Sequence, residues 1–253
     1  NQNVFTADKL PKDVQTKEFF VRCGIATPVS FKNNILAKAG VVVGRRYVSS
    51  YQKDNVASTD TPDRGSIFIT SPEMSLTRNT LNYLLYPTGG AEEFVRVRYV
   101  YGVESYSPGN TNTMATKIQG ITHHVGAFTL KAERYFPTGK HFSFGYDFDL
   151  VLSNRNKLSN FYGALMFMPA YEPIPHASTI MMGNYRANSF LGVGISPVIL
   201  FTKSLYLHSK IAYFKAYEQI ERASNGWEYT YSEKFPKGGF IANFALVWQS
   251  PIG

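Results

Sequence analysis

Asp147 and Asp149 are two acidic residues whose spacing could serve acid–base chemistry. They lie two positions apart in "HFSFGYDFDLVLS", where apolar and polar residues alternate. Residues two apart on a β-strand point to the same side, so the two carboxylates would share one face. We favour a network of structural ion pairs over a catalytic pair, because Lys131 and either Arg96 or Arg98 are expected opposite them on neighbouring strands.

The histidines and serines do not form a convincing active site either. His123 and His124 are adjacent, so on a strand they would point to opposite faces and could not chelate one metal ion well. His176 and Ser178 lie close together in "PHAST", a Pro-rich segment without an evident acidic or amide third member. The sequence contains no G-x-S-x-G nucleophile elbow. We therefore expect no catalytic residue, no metal site and no cofactor in this chain.

The elements that would position these side chains are strands, because ten segments alternate apolar with polar residues. In 72–86 the apolar phase shifts near Arg78, which predicts a β-bulge. The expected strands lie at 18–27, 35–47, 72–86, 94–104, 126–136, 141–153, 160–170, 190–201, 204–217 and 240–249.

Two environments fit such strands: a soluble sandwich that buries its apolar face, or a transmembrane barrel that turns this face to lipid. The segments are long for soluble strands, and their connections alternate between short turns and long loops, as in bacterial outer-membrane barrels. Aromatic residues make up 15% of the chain, and no apolar run reaches the roughly 18 residues of a membrane helix. The sequence therefore predicts an all-β, antiparallel transmembrane β-barrel with ten strands in this chain.

The alternation assigns side chains to two faces of the predicted barrel. Charged residues in the middle of strands are tolerated in a wet lumen, and apolar residues face lipid. The expected lumen wall includes Asp147, Asp149, Glu133, Arg96, Arg98 and Lys131, and the expected lipid-facing residues include Phe142, Phe144, Phe148, Leu150, Phe244 and Leu246. We attribute the net charge of +8 first to a moderately basic surface, and basic loops that face anionic lipid headgroups are the alternative.

Several stretches resemble one protein family. They include "LTRNTLNYLLYPTGG", "KAERYFPTGKHFSFG", the region from "VLSNRNKLSNFYG" to "GVGISPVI", and the terminal "ALVWQSPIG". They are similar to the bacterial patatin-like phospholipases that carry a C-terminal outer-membrane barrel of the surface-antigen type. The resemblance covers about residues 17 to 253 and is most specific between 128 and 200.

The resemblance implies a parent protein with a serine lipase domain and a 16-strand barrel. We expect residues 1–16 to be a linker or loop and residues 17–253 to be barrel, lacking its N-terminal part and the last two strands after "SPIG". The chain contains none of the patatin motifs, so no catalytic residue can be assigned. Whether the chain is part of an enzyme stays open. The implied location is the bacterial outer membrane. The implied partners are membrane lipids and lipopolysaccharide, without nucleic acid, and a membrane-protein complex stays open as a further partner.

The family's barrels fold a long loop into the lumen, where an arginine at the loop tip pairs with an acidic group on the wall. The matching loop here is 171–189, and its tip "YRANSF" contains Tyr185, Arg186 and Asn188, with Ala187 where the family has glycine. The resemblance implies that Arg186 meets a lumen carboxylate, and we favour Asp147 or Asp149. An extracellular loop that binds lipopolysaccharide phosphate is the alternative.

Two other functions remain open at this stage. The chain could be a stand-alone outer-membrane barrel that acts as a pore or as a structural subunit of a membrane complex. It could also be a soluble β-sandwich that binds a ligand.

Overall fold

The computed structural model describes residues 14–51, 56–111, 116–154, 158–175, 183–202, 204–223 and 228–249. His176 and Ser178, and nearly all of the expected linker 1–16, lie outside these residues.

The described residues form an all-β fold built on one antiparallel sheet of nine strands. The strands pair in chain order, and a hairpin of two short strands is inserted before the last one. Within the described residues, the first and last strands of this sheet are its two edges and do not pair with each other. The sheet contains β1 (Gln15–Ser30), β2 (Ile35–Ser50), β3 (Asp63–Asn79), β4 (Gly90–Ser107), β5 (Ile118–Pro137), β6 (Phe142–Ser153), β7 (Phe190–Leu200), β8 (Leu205–Ala216) and β11 (Gly239–Trp248), and the hairpin contains β9 (Ile220–Arg222) and β10 (Tyr229–Tyr231).

One expected strand, 160–170, is wrong: it contains the helix α1 (Phe161–Phe167). The side chain of Asn160 caps this helix by accepting a hydrogen bond from the backbone N–H of Gly163 at 2.6 Å. The segment is apolar on nearly all sides, and α1 is largely buried between the sheet and the β9–β10 hairpin. Periodicity alone does not distinguish a short buried helix from a buried strand.

The third expected strand is displaced in the structure. Strand β3 begins at Asp63 and ends at Asn79, so the apolar residues from Leu81 to Tyr86 belong to a turn. Arg78 pairs with Ile35 in an unbroken register, and the β-bulge expected there does not exist. The phase shift in the sequence instead marks the end of the strand.

The two faces of the sheet differ in burial. Side chains on one face, which we call the inner face, are covered by α1 and by the connections 80–89 and 154–189. In β7 the inner residues Gly192, Gly194 and Ser196 are buried, while Leu191 and Val193 on the opposite, outer face are exposed. The alternation that the sequence predicts is therefore present, with the polar face covered and the apolar face open, except on β1, which is exposed on both faces.

The connections differ in length at the two ends of the strands. One end, the short-loop end, has the connections 31–34, 80–89, 138–141 and 201–204; the other, the long-loop end, has 51–62, 108–117, 154–189 and 217–238. The expected sorting of short turns and long loops is present in part, since 80–89 at the short-loop end is as long as 108–117 at the long-loop end. No helix in the described part of the chain is long and apolar enough to cross a membrane.

Candidate functional site

The centre of the inner face is a cluster of carboxylates and lysines on β5, β6 and β8. The Nζ atom of Lys210 lies 3.0 Å from Asp147 Oδ1 and 3.7 Å from Glu133 Oε1. The Nζ atom of Lys131 lies 3.1 Å from Asp149 Oδ2. Lys131, which was expected opposite one of the two aspartates, pairs with Asp149, and the partner of Asp147 is Lys210 rather than Arg96 or Arg98.

Strand register explains why these groups meet. Lys131 is directly opposite Asp149, and Glu133 is directly opposite Asp147, on neighbouring strands. Asp147 is separated from β8 by β7, where Gly194 is its partner. A Cβ atom at position 194 would collide with the Asp147 carboxylate, so this glycine leaves space for Asp147 to reach Lys210 across β7.

The connection between β6 and β7 covers this cluster through Tyr171. The Tyr171 hydroxyl donates a long hydrogen bond of 3.5 Å to Asp147 Oδ2, and its ring stacks on Phe214. The ring lies directly over Gly192, where a Cβ atom would collide with it. Burial raises the pKa of Tyr171, and the carboxylates of Asp147 and Asp149 raise it further. Tyr171 therefore remains a neutral hydrogen-bond donor at physiological pH.

The cluster continues toward the short-loop end as a chain of hydrogen bonds. The Tyr135 hydroxyl donates to Glu133 Oε1 at 2.8 Å and lies 3.2 Å from His208 Nε2. The ring of Tyr86, from the connection 80–89, meets the His208 ring edge-on. Tyr206 donates a hydrogen bond to the Tyr86 carbonyl at 2.9 Å, which ties this connection to β8. A cavity of about 260 Å³ lies beside these groups.

Arginines dominate the inner face on β1 to β4. Arg46 Nε lies 2.6 Å from Glu18 Oε1, and its Nη1 donates to the Met166 carbonyl at 3.0 Å. The Arg46 guanidinium also lies over the Phe167 ring, 4.4 Å from its centroid. Arg46 therefore holds α1 against the inner face through a hydrogen bond and a cation–π contact. This role was not predicted from the sequence.

Arg96 and Arg98, expected on the lumen wall, lie on β4 opposite Ser75 and Glu73 of β3. They are two strands away from Asp147 and Asp149, because β5 lies between β4 and β6. The inner face is consequently divided into an arginine-rich part on β1–β4 and a carboxylate–lysine part on β5–β8.

The expected pairing of Arg186 with Asp147 or Asp149 is wrong. Both carboxylates are held by lysines, and Arg186 Nη1 donates to the Met168 carbonyl at 3.1 Å. Arg186 also forms an isolated antiparallel bridge with Ala170, so it joins two parts of the covering connection. Burial lowers the pKa of Arg186, and the carboxylate of Glu172 opposes this effect.

The other two residues of the expected loop tip are also placed against the sheet or the covering connection. The Tyr185 hydroxyl donates to the Phe240 carbonyl of β11 at 2.9 Å, and its ring packs against Phe214. Asn188 is half-buried, and its Oδ1 has no hydrogen-bond partner among the described residues. The segment does cover the inner face, with Ala187 fully buried, but Tyr185 and Arg186 attach it through backbone carbonyls.

The aromatic and aliphatic residues expected to face lipid lie on the outer face. Phe142 and Tyr146 on β6 are exposed, and Phe144, Phe148 and Leu150 are half-buried. Phe244 and Leu246 on β11 are each 68% exposed.

This arrangement holds charged groups in pairs and does not bring together a nucleophile, base and acid. Among the described residues, no cluster of three or more His, Cys, Asp or Glu side chains could hold a metal ion. The sequence analysis did not assign roles to Lys210, Arg46 and Tyr171. Alternation placed Lys210 and Arg46 on the polar faces of their strands, but their partners depend on register across intervening strands and on a helix that was not expected.

Comparison with known proteins found no family model and no curated protein that matches the chain.

Proposed function

We propose that this chain is part of a bacterial outer-membrane β-barrel that anchors or translocates a patatin-like lipase domain. The observation that supports it best is the orientation of the sheet. From β3 to β8 the apolar outer face is open and the inner face, which holds the charged clusters, is covered, whereas β1 is exposed on both faces. A sheet in a water-soluble protein has the opposite orientation. Lipid around the apolar face would explain this orientation.

The distribution of residues on the outer face supports a membrane environment. Exposed aromatic residues are found near both ends of several strands, with Tyr99 and Phe244 nearer the middle, and many exposed aliphatic residues lie between the strand ends. Aromatic girdles at the two interfaces and an aliphatic band in the middle are typical of outer-membrane barrels. Aromatic residues include Tyr47, Tyr101 and Phe240 near the long-loop end, and Phe136, Phe142 and Trp248 near the short-loop end, with Val97, Val193 and Ile211 between them.

Barrel closure is part of the proposal and follows from the chemistry of the bilayer. β1 and β11 each pair on one side only within the described residues. An unpaired strand edge in hydrocarbon leaves backbone N–H and C=O groups without partners, at a cost of several kcal/mol per group. We propose that both edges pair with further strands, in line with the 16-strand barrel that the resemblance implies.

The link to a lipase domain rests on the resemblance between residues 17 and 253 and the barrels of patatin-like phospholipases. A second candidate is a stand-alone barrel that serves as a pore or as a subunit of a membrane complex. The observation that favours this second candidate is the charged inner face, which has cavities beside the Lys210 cluster.

One experiment separates the two candidates. The native protein is isolated from outer membranes with an antibody against this chain and treated with a fluorescent fluorophosphonate, which labels active serine hydrolases. Labelling of the same polypeptide supports the lipase proposal. An outer-membrane polypeptide that stays unlabelled supports the stand-alone barrel, and recovery in the soluble fraction contradicts both.

A further inference from the structure

The arginine-rich part of the inner face borders a half-open cavity of about 460 Å³ between the sheet and α1, with the exposed side chain of Arg22 at its rim. This volume lies in the range of about 300–1,000 Å³ in which small-molecule sites are usually found. Arg22, Arg46 and Arg98 line it together with Ser71. Its remaining walls are mainly apolar and aromatic, and they include Phe20 and Phe167 as well as Val42, Ile69 and Val100.

The arginines in this cavity differ in how they are paired. Arg46 is held by Glu18, Met166 and Phe167, as described above, and Arg22 Nε lies 3.6 Å from Glu73 Oε1. Arg98 Nε is buried, and no described residue accepts a hydrogen bond from it. A buried guanidinium donor without an acceptor is unfavourable, so a group from outside the described residues would gain free energy by accepting from it.

A second polar group in the same cavity also lacks a partner. Ser71 is 2% exposed, and its Oγ has no hydrogen-bond partner among the described residues. Ser71 and Arg98 lie on neighbouring strands, since Arg98 is opposite Glu73, two positions from Ser71 on the same face. Both side chains line the same cavity and could donate to one acceptor with several oxygen atoms.

The charge in this region favours an anion. The arginines at 22, 46 and 98 face two carboxylates, those of Glu18 and Glu73, and Arg96 adds a further cation on the same face of β4. One Glu73 oxygen has no hydrogen-bond donor, and it opposes an anion locally. Glu73 is close to Arg22 and directly opposite Arg98, so two carboxylates face four guanidinium groups and an excess of positive charge remains in this part of the inner face.

We propose that this cavity binds a phosphorylated small molecule, with its phosphate on Arg98 and Ser71 and its organic part against Phe20 and Phe167. The planar guanidinium fork matches the oxygen geometry of a phosphate, and the serine hydroxyl can donate to a third oxygen. The apolar walls provide a surface that an inorganic ion would leave unused. The phosphate could belong to a soluble ester or to a lipid headgroup, since both present the same group to Arg98.

The site goes beyond the proposed function and does not depend on it, because it is formed by residues within one sheet and α1. Binding is measured by titration calorimetry on the chain folded in a neutral detergent. Phenyl phosphate is the soluble probe, and benzoate and phenol are the controls for its charge and its ring. Lysophosphatidic acid, compared with a neutral lysolipid that has no phosphate, tests the lipid headgroup.

The decisive variant is Arg98→Gln, with Arg96→Gln as the matched control on the same face of the same strand. We expect Arg98→Gln to weaken phosphate binding at least tenfold, Ser71→Ala to weaken it severalfold, and Arg96→Gln to change it less than threefold. Arg98→Lys keeps the charge and loses the fork, so it should recover only part of the affinity. Circular dichroism and heat-dependent gel migration verify that each variant is folded.

The two probes and the arginine variants distinguish a soluble ligand, a lipid headgroup and the absence of a phosphate site. Binding of phenyl phosphate that depends on Arg98 supports the site and a soluble ligand. Binding of lysophosphatidic acid alone, with the same dependence, supports the site and a lipid headgroup. The proposal is overturned if neither probe binds, if benzoate binds as tightly as phenyl phosphate, or if Arg98→Gln and Arg96→Gln have equal effects.

Discussion

Lys210 is a buried cation held between two carboxylates. Its side chain is 10% exposed and lies close to both Glu133 and Asp147, whereas the side chain of Lys131 is 45% exposed beside Asp149. Removing one partner from a buried ion pair leaves the other charge uncompensated, while an exposed pair contributes little. The two lysines therefore have similar partners but are expected to contribute differently to the free energy of unfolding.

We expect Lys210→Met to lower the free energy of unfolding by about 3–5 kcal/mol, because it leaves two carboxylates without a cation in the covered inner face. Lys131→Met is the comparison: it leaves the buried Asp149 without its cation, but water reaches the half-exposed Lys131 side, so we expect a smaller loss than for Lys210→Met. Urea titration in detergent micelles, monitored by circular dichroism, measures both values. Equal losses for the two variants would show that Lys210 has no special role.

Residue-scale features were only partly predictable from the sequence. The shared face of Asp147 and Asp149 and the partner of Asp149 follow from strand alternation and from the adjacency of β5 and β6. The partner of Asp147 could not be predicted, because it depends on a glycine in the strand between Asp147 and Lys210. Arg186 was assigned a carboxylate by resemblance, but backbone carbonyls within its own connection satisfy it.

The covering connection packs closely on β7 at Gly192, because glycine has no side chain there. Tyr171 occupies the space where a Cβ atom would be, between Gly192 and Phe214. The close approach of an aromatic ring to a strand backbone is a common reason for glycine within a sheet.

Gly192→Ala should destabilise the protein by about 1–3 kcal/mol, because the new methyl group displaces the Tyr171 ring. Gly126→Ala is the control, since a Cβ atom at that position would meet only Asn154 at ordinary contact distance. Alanine at 126 should be neutral or stabilising by up to about 1 kcal/mol. In a double-mutant cycle with Tyr171→Ala, the cost of Gly192→Ala should largely disappear, and an undiminished cost would contradict the contact.

Phe148 lies on the outer face of β6, where the proposed barrel would contact lipid. If Phe148 faces hydrocarbon near the midplane, Phe148→Arg should cost about 2–4 kcal/mol in the free energy of folding into phospholipid vesicles. Phe148→Leu, which keeps an apolar side chain, should cost far less. An arginine variant that inserts as stably as the wild type would place position 148 away from lipid.

At the scale of elements, clean alternation identified strands such as β6, β8 and β11 close to their observed bounds. The start of β3 was missed, because Ile67 and Ile69 on the inner face pack against the hydrophobic cluster around α1 and Tyr229, so both faces are apolar there. Helix α1 was missed for a related reason: it is buried on most sides, so its sequence has no polar face to reveal the helical period.

From β3 to β8 the sheet has one covered face, which holds the charged clusters, and one open, apolar face, and β1 is exposed on both faces. The outer face carries exposed aromatic and aliphatic side chains from β1 to β11. Burying apolar surface is favourable by about 25 cal/mol per Å², so leaving this whole face in water would be strongly unfavourable. The proposed lipid environment removes this cost, and closure with further strands would satisfy the two sheet edges.

The central claim is that the outer face contacts lipid, and site-directed spin labelling along β11 tests it most directly. Cys23 is the only cysteine, so Cys23→Ser provides a background in which single cysteines at 242 to 247 are labelled in the membrane-inserted protein. Ala242, Phe244 and Leu246 lie on the outer face, and Asn243, Ala245 and Val247 lie on the inner face. We predict high collision rates with oxygen, which concentrates in lipid, at 242, 244 and 246 and low rates at 243, 245 and 247. Uniform rates along the strand, or greater access for a water-soluble nickel complex at 244 and 246, would contradict the account.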